Sequence, residues 1–442
     1  MRPQDDDLLS VFSLLDAHDL WCFLCCCKRF YRLCSEDLLW RTLLTNELGA
    51  EHLPGSPPGN GGWRRRFWQW QRLESCMCTP RRRLGPAPTA RFLHRAAGVQ
   101  NDSGRWLYVF GGRGELSEFN DLWILDKLVA GGDALSSSAS SPAASSPAAA
   151  SSSVISPAGS AWRHVAADPA PPQRQSPTLT AVGTRLLMFG GRQGDTTFLN
   201  DTWVFDTLAC AWTCVRASDN LPALPGVQQF GMWPNGGGSP VRPSPRWAHS
   251  AVAFGSSVLV FGGSAPGTCF NDLHWFDMEG EEPLTWRKQP VTVGPSPPAR
   301  SGHCACALGE DQMFVFGGNT TETSFNDLWE YSVSDGIWAH VRASAGQSPS
   351  CRVGHTLTAL GSRLLVLGGR EYSTNHFDPS LHSFNVTSRQ WREIPLEKAG
   401  GGATPVRTGH CATVHAGRML LFGGLNDKNL LLDDLTSVSL IT

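Results

Sequence analysis

Arg-x-x-His elements are the residues of this chain best suited to recognition chemistry. They occur at Arg91/His94, Arg246/His249, Arg300/His303, Arg352/His355 and Arg407/His410. A guanidinium presents a rigid fork of donors and can grip a carboxylate or phosphate with two of them at once. A ring made of Arg91, Arg246, Arg300, Arg352 and Arg407 would suit an acidic or phosphorylated peptide. The other use is internal: each Arg pairs with an acidic or backbone group of its own or a neighbouring unit, and each His sits hydrogen-bonded in a turn. Recurrence in nearly every unit favours the internal use, because a peptide needs only some of the five. One further unit departs, reading Arg174-Gln175-Ser176-Pro177.

The other reactive residue types are not arranged for catalysis. The 14 cysteines follow no regular spacing. Cys76/Cys78 and Cys304/Cys306 lie two apart, and such positions on a strand point the same way. Without a second pair this is a weak metal signal, so the thiols read as reduced and mostly buried. Tyr31, Tyr108, Tyr331 and Tyr372 are the only tyrosines, and none stands beside a Cys/His cluster with metal spacing. No phosphate loop, nucleophile elbow or zinc motif occurs. A non-catalytic binding protein with no metal or cofactor is expected.

Charge balance narrows the partners. The chain carries 37 Lys+Arg against 39 Asp+Glu, a net charge of -2. No strong field for nucleic acid or a membrane surface follows. No apolar run reaches the roughly 20 residues of a membrane helix. The N-terminus opens on Asp5, Asp6 and Asp7 rather than on a secretory pattern. A cytoplasmic or nuclear location, or both, is the expectation.

The elements that must position the Arg-x-x-His residues repeat with them. Six Gly-Gly doublets close short apolar runs, at Gly111-Gly112, Gly190-Gly191, Gly262-Gly263, Gly317-Gly318, Gly368-Gly369 and Gly423-Gly424. Their spacings are 79, 72, 55, 51 and 55 residues. A period of about 50 residues marks a propeller-type repeat. In each unit the Arg-x-x-His element leads into a small-residue alternating strand, then the apolar run and its doublet. Glycine permits positive φ and close backbone approach at that point. A turn follows, with Asn120-Asp121, Asn200-Asp201, Asn271-Asp272 or Asn326-Asp327. Such side chains hydrogen-bond turn backbone. An aromatic comes next, at Trp123, Trp203, Trp275 and Trp329, and a fourth strand brings Trp162, Trp212, Trp286, Trp338 or Trp391. These rings read as packing between neighbouring sheets.

The doublet, the Asn-Asp turn and the spaced Trp together resemble kelch repeats, over residues 73–442. The resemblance implies a mainly β fold, a six-bladed kelch β-propeller. The sixth unit stops after residues 435–440 without a fourth strand. A closed ring leaves no bare edge, so residues 75–79 are expected to supply the missing outer strand. Two insertions interrupt the period. Residues 130–160 are rich in Ser, Ala and Pro and read as a disordered insertion. Residues 216–245 read as a partner-facing loop or a tolerated surface insertion.

Residues 1–48 have a different character. Leu8, Leu9, Phe12 and Leu15 follow helical spacing, Leu20 through Cys34 form a second run, and Leu38 through Leu48 a third. So small a three-helix bundle needs a partner to bury its apolar surface. Residues 49–72 form a linker helix, with Trp63, Phe67 and Trp70 on one face.

Residues 1–48 resemble an F-box. The likeness runs through LLSVFSLL, then Asp16 to Leu20, Cys27 to Leu33, and Leu39-Trp40-Arg41. Phe30 stands where the family usually has Trp. An F-box followed by kelch repeats resembles plant F-box/kelch proteins, including the propeller half of the ZEITLUPE group. The light-sensing domain of that group is absent from this reading, so photoreception is not implied. The resemblance implies a substrate-recognition subunit of an SCF-type cullin–RING ubiquitin ligase. Leu8, Leu9, Phe12, Leu15, Leu20, Cys27 and Phe30 would bind a Skp-type adaptor, which joins the cullin, and the propeller would hold an unknown protein substrate. A non-ligase interaction scaffold is the main alternative, and a kelch-fold metal-dependent enzyme a remoter one.

Overall fold

A computed structural model describes residues 37–48, 53, 62–63, 67, 76–80, 86–101, 104–125, 162–215, 242–279, 285–290, 294–398, 406–415 and 417–440. The first two expected helices, all but four residues of the expected linker helix 49–72, the whole insertion at 130–160 and most of that at 216–245 lie outside the described residues.

Five antiparallel sheets and one mixed sheet form a closed six-bladed propeller. Blade one is Arg95–Asn101, Gly104–Phe110, Leu122–Leu125 and Trp162–Val165, in that order from the axis outward. Blades two to five repeat this order, with first strands Thr178–Val182, Ser250–Phe254, Cys304–Leu308 and Thr356–Leu360. Blade six begins with Cys411–His415, Arg418–Leu425 and Leu431–Ser439. Each first strand touches the first strands on either side, and the contact between Arg95–Asn101 and Cys411–His415 completes the circle.

The expected closure is present, one residue later than the expected start. Cys76–Pro80 pairs antiparallel with the last strand, Met77 opposite Ser439 and Pro80 opposite Thr436. The strand Leu396–Lys398 then pairs parallel with the outer side of Cys76–Pro80. The closing strand is therefore enclosed on both sides, and blade six has five strands rather than four. Enclosure removes the unpaired edge that such a seam would otherwise present.

The Gly-Gly doublets are seats for the histidines. All twelve glycines have positive φ, from 61° to 103°. A Cβ on the second glycine of a doublet would collide with its own blade's histidine, as at Gly263, 2.8 Å from His249 Cβ. A Cβ on the first would strike the ring of the next blade's histidine, as at Gly262, 2.9 Å from His303 Cε1. Each ring is thus wedged across the seam between two doublets. Blade two has Pro177 in that place, packed on Gly191.

The fourth-strand tryptophans hold the seams from the other side. Trp212 lies 5.4 Å from Phe110, Trp286 4.6 Å from Phe189, Trp338 5.0 Å from Phe261, Trp391 5.5 Å from Phe316, and Trp162 5.1 Å from Phe422. Each partner Phe immediately precedes the previous blade's doublet. Such tilted contacts suit the ring quadrupoles.

The seam between blades five and six differs. Blade five has Leu367 before its doublet, and Cys76–Pro80 contains no tryptophan. Helix α1, Asp37–Leu48, is the third helix expected from the sequence. Its Leu39, Trp40, Leu43, Leu44 and Leu48 form one buried cluster with Trp63 and Phe67 and with Leu365, Leu367, Met419, Leu421 and Val438 of the two blades. The Trp40 and Phe67 rings meet at 5.2 Å with their planes tilted by 54°. The helical segment and the propeller share a core here.

Candidate recognition surface

The arginines of the repeat are buried in ion pairs. Arg91 meets Asp121 at 2.6 Å, Arg246 meets Asp272 at 2.6 Å, and Arg300 meets Asp327 at 2.7 Å. Arg352 meets Asp378 at 2.8 Å and Arg407 meets Asp434 at 2.9 Å. Nη1 of each also donates to the carbonyl of its blade's first doublet glycine, at 2.9–3.0 Å. Phe119, Phe270 and Phe325 cover the faces of Arg91, Arg246 and Arg300. These five arginines are only 0–2% exposed. The expected substrate-binding ring is corrected accordingly: Nη1 and Nη2 of all five arginines are engaged inside the blades, and the five form no exposed ring.

Arg174 completes the set and was missing from the sequence-based ring. It is 0% exposed, pairs with Asp201 at 2.6 Å, and donates to the Gly190 carbonyl. Pro177 in place of a histidine hid it. The Arg-to-Asp separation of 27 residues, the same as from Arg300 to Asp327, was the available signal.

Asn200 and Asn326 bond loop backbone as expected, donating to the Pro243 and Pro349 carbonyls, but the Asn-Asp turns have a second purpose. Their aspartates are the arginine partners, and the residue two further on secures the carboxylate. Trp123, Trp203 and Trp329 donate Nε1–H to Asp121, Asp201 and Asp327 at 2.6–2.8 Å. In blade three that place belongs to His274, 2.8 Å from Asp272. Trp275 therefore falls on the other face of its strand, where it donates to Gln289. Thr436 serves Asp434 in the same way, while Asp378 is served by His382, four residues on.

Burial pushes these carboxyls up, but the donors outweigh it. The bonds from His274 and Arg246 hold Asp272 well below the usual carboxylate range, and those from His382 and Arg352 do the same for Asp378. Asp201, Asp327 and Asp434 are lowered for the same reasons. Burial first, then the neighbouring arginines, pushes His94, His249, His303 and His410 far below 6.5, and His355 to about 3. These histidines are neutral wedges. Thr178, Ser250, Thr356 and Cys411 each bond the Nε2 of the next blade's histidine, at 2.9–3.2 Å.

Two residues past each arginine, the backbones join in a circle. Leu93 N–H donates to Gly409, Gly409 to Gly354, Gly354 to Gly302, Gly302 to Ala248, Ala248 to Ser176, and Ser176 back to Leu93, at 2.7–3.2 Å. All six residues have positive φ, including Leu93, Ser176 and Ala248. The left-handed conformation is uncommon for such side chains. Six mutual bonds around the axis hold it.

Outside this belt the blades cease to be alike. In each, the residue after the arginine pairs by backbone with the residue after the doublet: Phe92 with Arg113, Gln175 with Arg192, Trp247 with Ser264, Ser301 with Asn319, Val353 with Arg370, and Thr408 with Leu425. The backbone is repetitive but the side chains are individual. Arg192 stacks 4.2 Å over Trp247. Arg113 and Arg192 lie 3.7 and 3.6 Å from Asp195. Gln175 donates to Glu118 at 2.7 Å, and Arg370 to Asn375 at 3.1 Å. This rim of mixed charge and aromatic surface is the candidate recognition face.

The expected adaptor contacts Leu8, Leu9, Phe12, Leu15, Leu20, Cys27 and Phe30 lie outside the described residues. Among the described residues no His, Cys, Asp and Glu cluster could hold a metal ion. No helix among them is long and apolar enough to cross a membrane.

Comparison with known proteins agrees with this construction. The family described as KLHDC2/KLHL20/DRC7 Kelch-repeats domain matches residues 69–233, 154–369 and 343–442. The chain belongs to the kelch-repeat family. An F-box-like family matches residues 5–46, ahead of the propeller. Kelch domain-containing protein 3 of Homo sapiens is 30% identical over 58% of this chain and 65% of its own length. Adagio-like protein 1 of Oryza sativa subsp. japonica is 26% identical over 98% of this chain and 63% of its own length. The chain thus spans less than two thirds of these relatives. The F-box-like kelch protein resembles the rice protein across both of its parts.

Proposed function

We propose that this F-box-like kelch protein is the substrate-recognition subunit of an SCF-type ubiquitin ligase. The F-box-like segment docks on a Skp-type adaptor and through it on a cullin, while the propeller holds a protein substrate without acting as an enzyme. One observation carries the reading. Helix α1, which begins inside the F-box-like match and ends two residues beyond it, shares a buried core with blades five and six. A shared core ties the last helix of the F-box-like segment to the propeller, as a subunit that must present one protein to another requires. The substrate meets the rim bearing Arg113, Arg192, Trp247 and Arg370, where the blades differ from one another. The propeller's arginine and histidine rings build the support beneath it.

The test is co-purification of the full chain with a Skp-type adaptor. The unaltered chain is expected to retain the adaptor, and Leu15→Asp with Leu20→Asp to lose it while keeping the melting temperature. Equal recovery by both forms, or by neither, refutes the ligase reading and leaves an interaction scaffold.

A further inference from the structure

The repeat breaks at one place on the axis. Five first strands open with a short side chain: Thr178, Ser250, Cys304, Thr356 and Cys411. Blade one opens with Arg95 instead. The blade that follows it is the one with Pro177 in place of histidine. The small residue and the large ring have both been exchanged at the same seam, which leaves room there for a long side chain.

Arg95 points into that space. It alternates along its strand with Ala97 and Val99, which pack with Leu179 and Leu186 of blade two. Nη1 donates to the His94 carbonyl at 3.0 Å. Among the described residues no carboxylate forms an ion pair with it, in contrast to the six repeat arginines. Its charge is felt around the circle: it helps to depress His249 and His303 and opposes the burial that raises the thiols of Cys304 and Cys411. Its strand is the innermost of blade one and touches the innermost strands of blades two and six, which places Arg95 beside the axis.

Arg95 is half-buried, and a cation withdrawn even partly from water without a counter-charge is unfavourable. The surroundings can supply further donors, because a hydroxyl that accepts from an imidazole N–H keeps its own proton to donate inward. Thr178, Ser250 and Thr356 bond an imidazole Nε2, and in the Nε2–H tautomer they are such hydroxyls. The guanidinium fork matches two oxygens of an oxyanion better than a spherical ion. The backbone belt spans the near end of the axis with only six residues. The occupant is then a free ion rather than a partner's side chain. We propose that Arg95 holds a free inorganic oxyanion, of the phosphate or sulfate class, on the propeller axis.

The full chain, exchanged into chloride buffer, tests this with inorganic phosphate as the probe. Equilibrium dialysis with radiolabelled phosphate is expected to show saturable binding, one ion per chain. Phosphate should raise the melting temperature above sodium chloride of equal ionic strength. Arg95→Thr, which restores the short side chain of the other blades, is expected to lose both effects and to melt no lower than the parent in chloride. Arg95→Lys keeps the charge without the fork and should bind several-fold more weakly. If dialysis shows no saturable phosphate or sulfate binding to the parent chain, the proposal is overturned. Equal binding by parent and Arg95→Thr overturns it as well. Should Arg95→Thr not fold, the dialysis of the parent and of Arg95→Lys decides by itself.

Discussion

His94 and Gly423 belong to blades one and six, yet the ring of one fills the space where the other would carry a side chain. A Cβ on Gly423 would stand 2.8 Å from His94 Cε1 and 2.8 Å from the Arg91 carbonyl oxygen, at a φ of 64°. The contact lies on the circle that closes the propeller, and it recurs at four other seams.

Gly423→Ala is therefore expected to cost roughly 2–4 kcal/mol, through strain at positive φ and displacement of a packed ring. Gly255→Ala is the control. Its φ is 56° but nothing lies within 4 Å of the added Cβ, so only the conformational term of about 1 kcal/mol remains. Urea unfolding midpoints of the two variants separate steric from backbone effects.

Asp327→Ala should be among the most damaging single changes, costing about 3–5 kcal/mol, because it leaves Arg300 buried without its partner. Arg300→Glu should prevent folding outright. Circular dichroism melting checks both. A folded Arg300→Glu variant that had lost only substrate capture would restore the arginine ring as a binding site.

Stability should fall as pH falls below neutrality. An unfolded histidine binds a proton near pH 6.5, whereas His94, His249, His303, His355 and His410 stay neutral when folded. Below about pH 6.5 the unfolded chain therefore holds more protons, and each histidine removes about 1.4 kcal/mol per pH unit until its folded pKa is reached. The depressed aspartates add a second loss below about pH 4, when the unfolded carboxylates protonate. Unfolding free energy measured from pH 8 to pH 5, with the proton uptake on unfolding, checks the sign.

Trp40→Ala is expected to destabilise the propeller by about 3–5 kcal/mol, since it empties a fully buried site in the cluster that seals blades five and six. A chain starting at residue 73 should melt lower than one starting at residue 37. Equal melting temperatures would show that the two parts fold independently.

Substrate capture should respond to the rim and not to the rings. Trp247→Ala and Arg370→Glu are expected to leave the melting temperature within a degree or two. They should weaken capture of a substrate recovered under proteasome inhibition at least tenfold. Unchanged capture by both would move the recognition face elsewhere.

The sequence by itself determined the number of blades, the positive φ at the doublets and the closure near residue 76. Each is local or periodic: a positive φ, an alternating strand, a missing fourth strand in a ring that cannot leave an edge open. It also carried the F-box-like match, whose spacing is contained in one short segment. The fate of the arginines was decided only by the tertiary structure. Arg300 and Asp327 lie 27 residues apart in the chain, and whether a guanidinium faces a ligand or its own blade depends on which strands the fold brings beside it. Trp275 and His274 show the same limit on a smaller scale, since one step along a strand exchanges its two faces. The filling of the fifth seam by Trp40 and Phe67, and the exchange of Arg95 for a small residue opposite Pro177, join positions that no period relates. Only packing around a common axis brings such residues together.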